Sequence, residues 1–125
     1  VVLAGYGIRQ SNTVNEFVEF IEQYQLPYVS TYGARDYTAN DHPFSLGTVG
    51  IKGSRAGNFA MQNADCLIVL GSSMNASVMG YDPKQFSPHS YKILVDIDNE
   101  ELKKDIVTIH NKIPMSLPDF FKAML

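Results

Sequence analysis

The stretch VVLAGYGIRQS, Val1 to Ser11, decides how the rest of the chain is read. A run of apolar residues, the first two β-branched, ends at Gly5-Tyr6-Gly7 and gives way to polar residues. That is the pattern of a fully buried strand of a parallel sheet running into a loop. The chain opens inside this strand, so the expectation is a domain taken from the interior of a longer chain.

Downstream, the pattern switches to a helix. Thr13-Val14-Asn15-Glu16 has the form of a capping box, and Val14, Phe17, Val18, Ile21 and Tyr24 repeat at helical spacing. Pro27 stops that helix, and Tyr28 to Thr31 reads as a second strand. Residues 32–53 show no clear period and are expected to hide one short strand around Phe44 to Val49. Their aromatic and branched residues argue against disorder. Ser54 to Asn63 reads as a helix, Cys66 to Leu70 as a third buried strand, and Ser72 to Pro88 as irregular. Lys92 to Ile97 is expected as a fourth strand and Asp98 to Glu101 as the cap of a short helix. Ile106 to Ile109 is expected as a fifth strand, followed by a last helix from about Pro118, near its first position, to Leu125. This alternation predicts a single domain, residues 1–125, with a three-layer α/β/α Rossmann-like parallel sheet of five to six strands.

The bulk composition fits. A chain of 125 residues and 13.9 kDa suits one domain with a real core. The net charge of −3 comes with no basic stripe, which disfavours a nucleic-acid partner. The longest apolar runs are too short to span a membrane. The one cysteine, Cys66, has no partner for an internal disulfide and stands in an apolar run. That suits a cytoplasmic setting and a buried, unreactive thiol.

In an open parallel sheet, ligands sit beyond the carboxyl ends of the strands. Here those ends are Gly5-Tyr6-Gly7, Ser30-Thr31-Tyr32, Gly71-Ser72-Ser73 and Asp96-Ile97-Asp98. Glycines admit close backbone approach to a pyrophosphate, and the acids after the fourth strand suit ribose hydroxyls. The same glycines also serve tight strand-to-helix turns, and at this level the two readings stand level. The standard dinucleotide fingerprint is absent, because Gln10 occupies its third glycine position and no acid follows the second strand. A free-standing NAD enzyme is thereby disfavoured. No nucleophile elbow and no cluster with metal-ligand spacing occurs. His42 is expected to pack or cap a turn, and Asp96 and Asp98 are not expected to form a close carboxylate pair.

The succession LAGYG, DHPFSLGTVGIKG, ADCLIVLGSS and ILVDIDNEELKK resembles the central domain of thiamine-diphosphate-dependent enzymes of the acetolactate synthase and 2-keto-acid decarboxylase family. The resemblance covers almost the whole chain. It implies a larger parent, a homodimer or homotetramer, in which flanking domains bind thiamine diphosphate and Mg²⁺ and make or break a C–C bond beside a carbonyl. Their G-D-G motif is absent here, so the domain itself is expected to be inactive, with no catalytic and no metal-binding residue.

In some members this domain binds FAD or ADP, and in others nothing. The resemblance places such a cradle on Gly5, Tyr6, Gly7, Gly50, Ile51, Lys52, Gly71, Ser72, Ser73, Asp96 and Ile97. In flavin-binding members the segment after the third strand resembles G-A-R-F-D-D-R-V-T-G, whereas here it is GSSMNASVMG, Gly71 to Gly80. Ser73 and Ser77 stand where the two arginines would be, and Asn75 and Ala76 where the two aspartates would be. Each missing arginine contact removes about 1.5–3 kcal/mol of affinity. The expectation is a vestigial or altered nucleotide cradle that also scaffolds the neighbouring domains. The alternative is a purely structural domain without a cofactor.

Overall fold

The computed structural model describes all 125 residues. The elements alternate as β1 (Val2–Ala4), α1 (Gly7–Gln10), α2 (Val14–Gln23), β2 (Tyr28–Ser30), β3 (Ser45–Thr48), α3 (Arg55–Gln62), β4 (Cys66–Leu70), α4 (Ala76–Met79), β5 (Tyr91–Asp96), α5 (Asn99–Lys103), β6 (Asn111–Pro114) and α6 (Leu117–Met124). The six strands form one parallel sheet in the order β3-β2-β1-β4-β5-β6. This is the order of the doubly wound dinucleotide-binding fold, with its reversal between β1 and β4.

Period-two alternation along each buried strand sends neighbouring residues to opposite faces. Val2 and Ala4, with Tyr28, Leu70 and Val95, join Ile8 of α1, Phe17, Phe20 and Ile21 of α2, and Leu117, Phe120 and Phe121 of α6 in one core. Leu3, Val29, Leu67, Val69 and Leu94 join Met61 of α3, Met79 of α4 and Leu102 of α5 in the other. The sheet is thus covered on both faces, in three layers. The aperiodic residues 32–53 are anchored to the core at Ala34, Tyr37 and Val49, which are buried.

Three local expectations are corrected. The strand expected at Ile106 to Ile109 lies at Asn111–Pro114, where Ile93 pairs with Asn111 and Asp96 with Pro114. It is an edge strand with mostly exposed side chains, so its apolar signal is weak, while the branched residues before it form the loop that leads in, with Ile106 half exposed. The Thr13 capping box does not form. Its hydroxyl donates to the Ile8 carbonyl at 3.2 Å and pairs with the Ser11 hydroxyl at 2.8 Å, closing the turn that carries left-handed Asn12, φ 58°. Cys66, at the start of β4, is half-buried. Ser54 and Ser116 do cap their helices, accepting from the Gly57 and Asp119 amides. His42 caps a turn, its Nδ1 accepting from the Phe44 amide at 3.3 Å while Nε2 meets Glu22 at 3.1 Å.

Candidate nucleotide cleft

Gly5, Gly7 and Gly71 form a seam where the loop after β1 meets the loop after β4. A Cβ on Gly5 would stand 2.2 Å from the Gly71 carbonyl oxygen, and one on Gly7 2.8 Å from Gly71 Cα. Gly71 itself is left-handed, φ +63°, and a Cβ there would meet Gly7 Cα at 2.9 Å. The two loops are also hydrogen-bonded, with the Gly5 amide donating to the Leu70 carbonyl and the Gly7 amide to the Gly71 carbonyl, both at 2.9 Å. The space that these glycines open is therefore filled by the protein's own backbone. Tyr37 fixes the seam from the long loop: its hydroxyl donates to the Gly5 carbonyl at 2.9 Å and accepts from the Arg9 amide at 3.1 Å.

Two clefts flank this seam at the carboxyl ends of the strands, and both are lined by Gly71 and Ser73. The first, about 410 Å³, takes Tyr6, Tyr32, Ile51, Lys52 and Ser72. The Tyr6 and Tyr32 rings are half exposed there, with the Lys52 ammonium 5.3 Å from the Tyr32 ring centroid. Lys52 is the only cation in this lining. Gly50 lies behind the wall. Its amide and carbonyl are both held by the Asn58 side chain, at 2.8 and 3.1 Å, and this turn presents Ile51 and Lys52. Asn75 and Ser77, at the start of α4, complete the rim, and the Asn75 side chain accepts from the Ser77 amide at 3.1 Å.

The second cleft, about 580 Å³, takes Gly7, Asp96, Ile97, Asp98 and Glu101, and no cation lines it. The Asp96 carboxylate accepts from the Asp98 amide at 2.8 Å. Burial raises the Asp96 pKa; that hydrogen bond lowers it, and the neighbouring Glu101 and Asp98 carboxylates raise it further. The Asp98 carboxylate is engaged elsewhere, accepting from the Glu100 amide at 2.9 Å as the cap of α5. A partly buried carboxylate with free accepting capacity suits ribose hydroxyls and repels phosphates. Ile97, beside it, is 73% exposed.

The residues expected in the cradle are therefore brought together around one seam, although Gly5 and Gly50 line neither cleft. Glu101 and the start of α6 at Ser116 also line the acidic cleft. In the sequence Glu101 reads only as part of a helix cap, and the place of Ser116 depends on the displaced β6. No three His, Cys, Asp or Glu side chains converge as metal ligands.

The family described as "Thiamine pyrophosphate enzyme, central domain" matches residues 1–119. An acetolactate synthase large subunit of Lactococcus lactis is 37% identical over 86% of this chain and 19% of its own length. The large subunits of acetolactate synthase isozymes 1 and 2 of Escherichia coli are 42% and 32% identical, over 69% and 83% of this chain and 15% and 19% of theirs. The chain spans less than a fifth of the length of these curated relatives. Three-layer architecture, strand order and matched residues agree, and the chain belongs to the thiamine pyrophosphate enzyme central-domain family.

Proposed function

We propose that this domain does no chemistry of its own and serves a thiamine-diphosphate-dependent enzyme acting on 2-keto acids, in the manner of acetolactate synthase. It holds two flanking thiamine-binding domains in place, in a cytoplasmic homodimer or homotetramer, and keeps an altered nucleotide cradle at its switch point. The residues present do not fit thiamine diphosphate and Mg²⁺: there is no G-D-G sequence and no convergent ligand set. Those groups belong to the flanking domains.

For a nucleotide the fit is partial. The observation that carries the reading is the asymmetry of the clefts across the glycine seam. Asp96 offers acceptors to a ribose on one side, while Tyr6, Tyr32 and Lys52 offer flat faces and one positive charge on the other. A diphosphate lying between them finds one lining cation and no arginine. The adenosine end of ADP or FAD is supported by this arrangement more than its diphosphate, so binding is weak and the purified domain is colourless. An absorbance scan across the flavin bands, with mass spectrometry of the heat-released supernatant, tests this. A stoichiometric flavin peak overturns it.

The second reading is a scaffold without any nucleotide, and one observation favours it: the packing of Gly5, Gly7 and Gly71 accounts for all three glycines with no ligand. Calorimetric titration with ADP separates the two. Binding that Asp96→Ala removes supports the cradle, and absence of binding at millimolar ADP supports the scaffold.

A further inference from the structure

The opposite end of the sheet holds a groove of about 620 Å³ that the nucleotide reading does not use. It lies where β5 begins, at Tyr91 and Lys92, and where the chain enters β6, at His110. Lys92 is 4% exposed, and buried lysines are rare unless paired. Its ammonium donates to the Ser87 carbonyl at 2.7 Å and the Ser90 carbonyl at 3.4 Å, and no carboxylate lies within ion-pair distance. An ammonium has three donors, so one is left without a protein acceptor.

The turn that supplies those carbonyls is itself strained. Ser87 is fully buried and left-handed, φ 41°, although it is not glycine. Its hydroxyl is tied to the Met61 carbonyl at 2.7 Å, so the strain is held in place. Beside Lys92, the His110 ring stacks on Tyr91 with centroids 4.7 Å apart. His110 Nδ1 accepts from the Lys92 backbone amide at 3.0 Å, which puts the proton of the neutral ring on Nε2, a donor facing away from β5.

The charge around this groove runs against the rest of the molecule. The chain has 13 acidic and 10 basic residues, yet the groove is lined by two lysines and two histidines and by one carboxylate, Asp105. A buried ammonium without a counter-ion destabilises the fold relative to an apolar side chain of similar volume. It gains a partner when an anion enters the groove.

We propose that this groove is a second ligand site, taking a small molecule through an oxyanion, phosphate or carboxylate, held by Lys92 and His110. Lys84, exposed on the rim, adds long-range attraction, and Asp105 opposes it. A volume of this order is that of small-molecule sites rather than of a single ion. The exposed Tyr91–His110 stack supplies a flat surface for the body of the ligand.

Amide and imidazole NMR shifts of the domain, followed during titration with inorganic phosphate, with acetate, and with chloride at matched ionic strength, test the proposal. The expected result is a saturable millimolar shift at Lys92, Thr108 and His110 with phosphate or with acetate, and none with chloride. Whichever anion saturates identifies the oxyanion. Lys84→Ala should weaken binding about two- to fivefold and Asp105→Asn strengthen it by a similar factor, as exposed charges do. Both side chains are exposed, so neither variant threatens the fold. His110→Gln, also at an exposed position, should remove most of the response. Shifts that do not saturate, that chloride reproduces, or that ignore both charge changes overturn the proposal.

Discussion

Adding a single methyl group at Gly5 tests whether the glycine seam is a packing device. A Cβ there would stand 2.2 Å from Gly71 O, 2.5 Å from Gly71 C and 2.7 Å from Ser72 Cα, where ordinary contact begins at 3.4 Å. The obstructing atoms are backbone and cannot rotate away, so the loops after β1 and β4 must part by about 1 Å, and the Gly5–Leu70 and Gly7–Gly71 hydrogen bonds lengthen with them. Overpacking of a rigid site costs about 1–3 kcal/mol. Backbone against backbone belongs at the upper end, so Gly5→Ala should cost about 3 kcal/mol, or roughly a 10 °C fall in Tm for a domain of this size. Gly80 is the control. It has φ +82° and nothing within 4 Å of a built Cβ, so Gly80→Ala meets conformational strain alone, about 1–3 kcal/mol. Urea denaturation followed by circular dichroism, with unchanged m-values, measures both. A Gly5→Ala variant as stable as the parent would refute the packing argument, and would return the glycines to the ligand.

Val69→Asp should abolish cooperative unfolding, since Val69 is fully buried on β4 between β1 and β5 and an unpaired carboxylate there costs several kcal/mol; an unaltered melt would contradict the central place of β4. Asp96→Asn should be more stable than the parent at neutral pH, with the gain vanishing in acid. Burial holds the folded pKa above 3.8, so ionisation costs stability as pH rises from that value and the full cost remains above the folded pKa; equal stability of the two proteins in neutral buffer would speak against it. The purified domain should show no turnover of pyruvate with thiamine diphosphate and Mg²⁺, and a rate above a heat-treated control would be the contrary result.

The central strands were legible because burial on both faces leaves nothing but branched and apolar residues, as in Cys66 to Leu70. The edge strand was not. Asn111, Lys112 and Pro114 face solvent, and only the half-buried Ile113 reaches a core. The more hydrophobic Ile106 to Ile109 next to it therefore drew the assignment. Short helices escaped for another reason. Gly7–Gln10 and Ala76–Met79 span about one turn each, too short for a period to register. Thr13 looked like a cap because its spacing to Glu16 is right, but its hydroxyl is turned to the Ile8 carbonyl and the Ser11 hydroxyl instead of to the first amides of α2. At the site, the positions of Gly5, Gly7 and Gly71 could be read along the chain, and their mutual contact could not. Nothing in a linear sequence says that the loop after β1 touches the loop after β4.

That contact changes what counts as support for a ligand. A residue the fold already needs gives no independent sign of a nucleotide, and Gly5, Gly7, Gly50 and Gly71 are all needed by their packing against Gly71, Gly7 or Ser77. What remains are residues that the fold does not need. Tyr6, Tyr32, Ile51 and Ile97 keep between 50% and 73% of their surface in water, and that surface contributes nothing to stability. Asp96 is held, partly desolvated, beside two other carboxylates, where burial and like charge both oppose its ionised form. Features that add nothing to stability, or cost it, and line the two clefts beside the seam are the ones an interaction has to account for. A bare scaffold accounts for the exposed apolar side chains, because neighbouring domains would cover them. It does not account for Asp96, since an asparagine there would keep the hydrogen bond from the Asp98 amide without the charge. The weight of the nucleotide reading therefore rests on one carboxylate, and comparing the parent with its Asp96→Asn variant, in stability and in ADP binding, decides it: a gain in stability with a loss of binding is the signature of a side chain kept for its ligand.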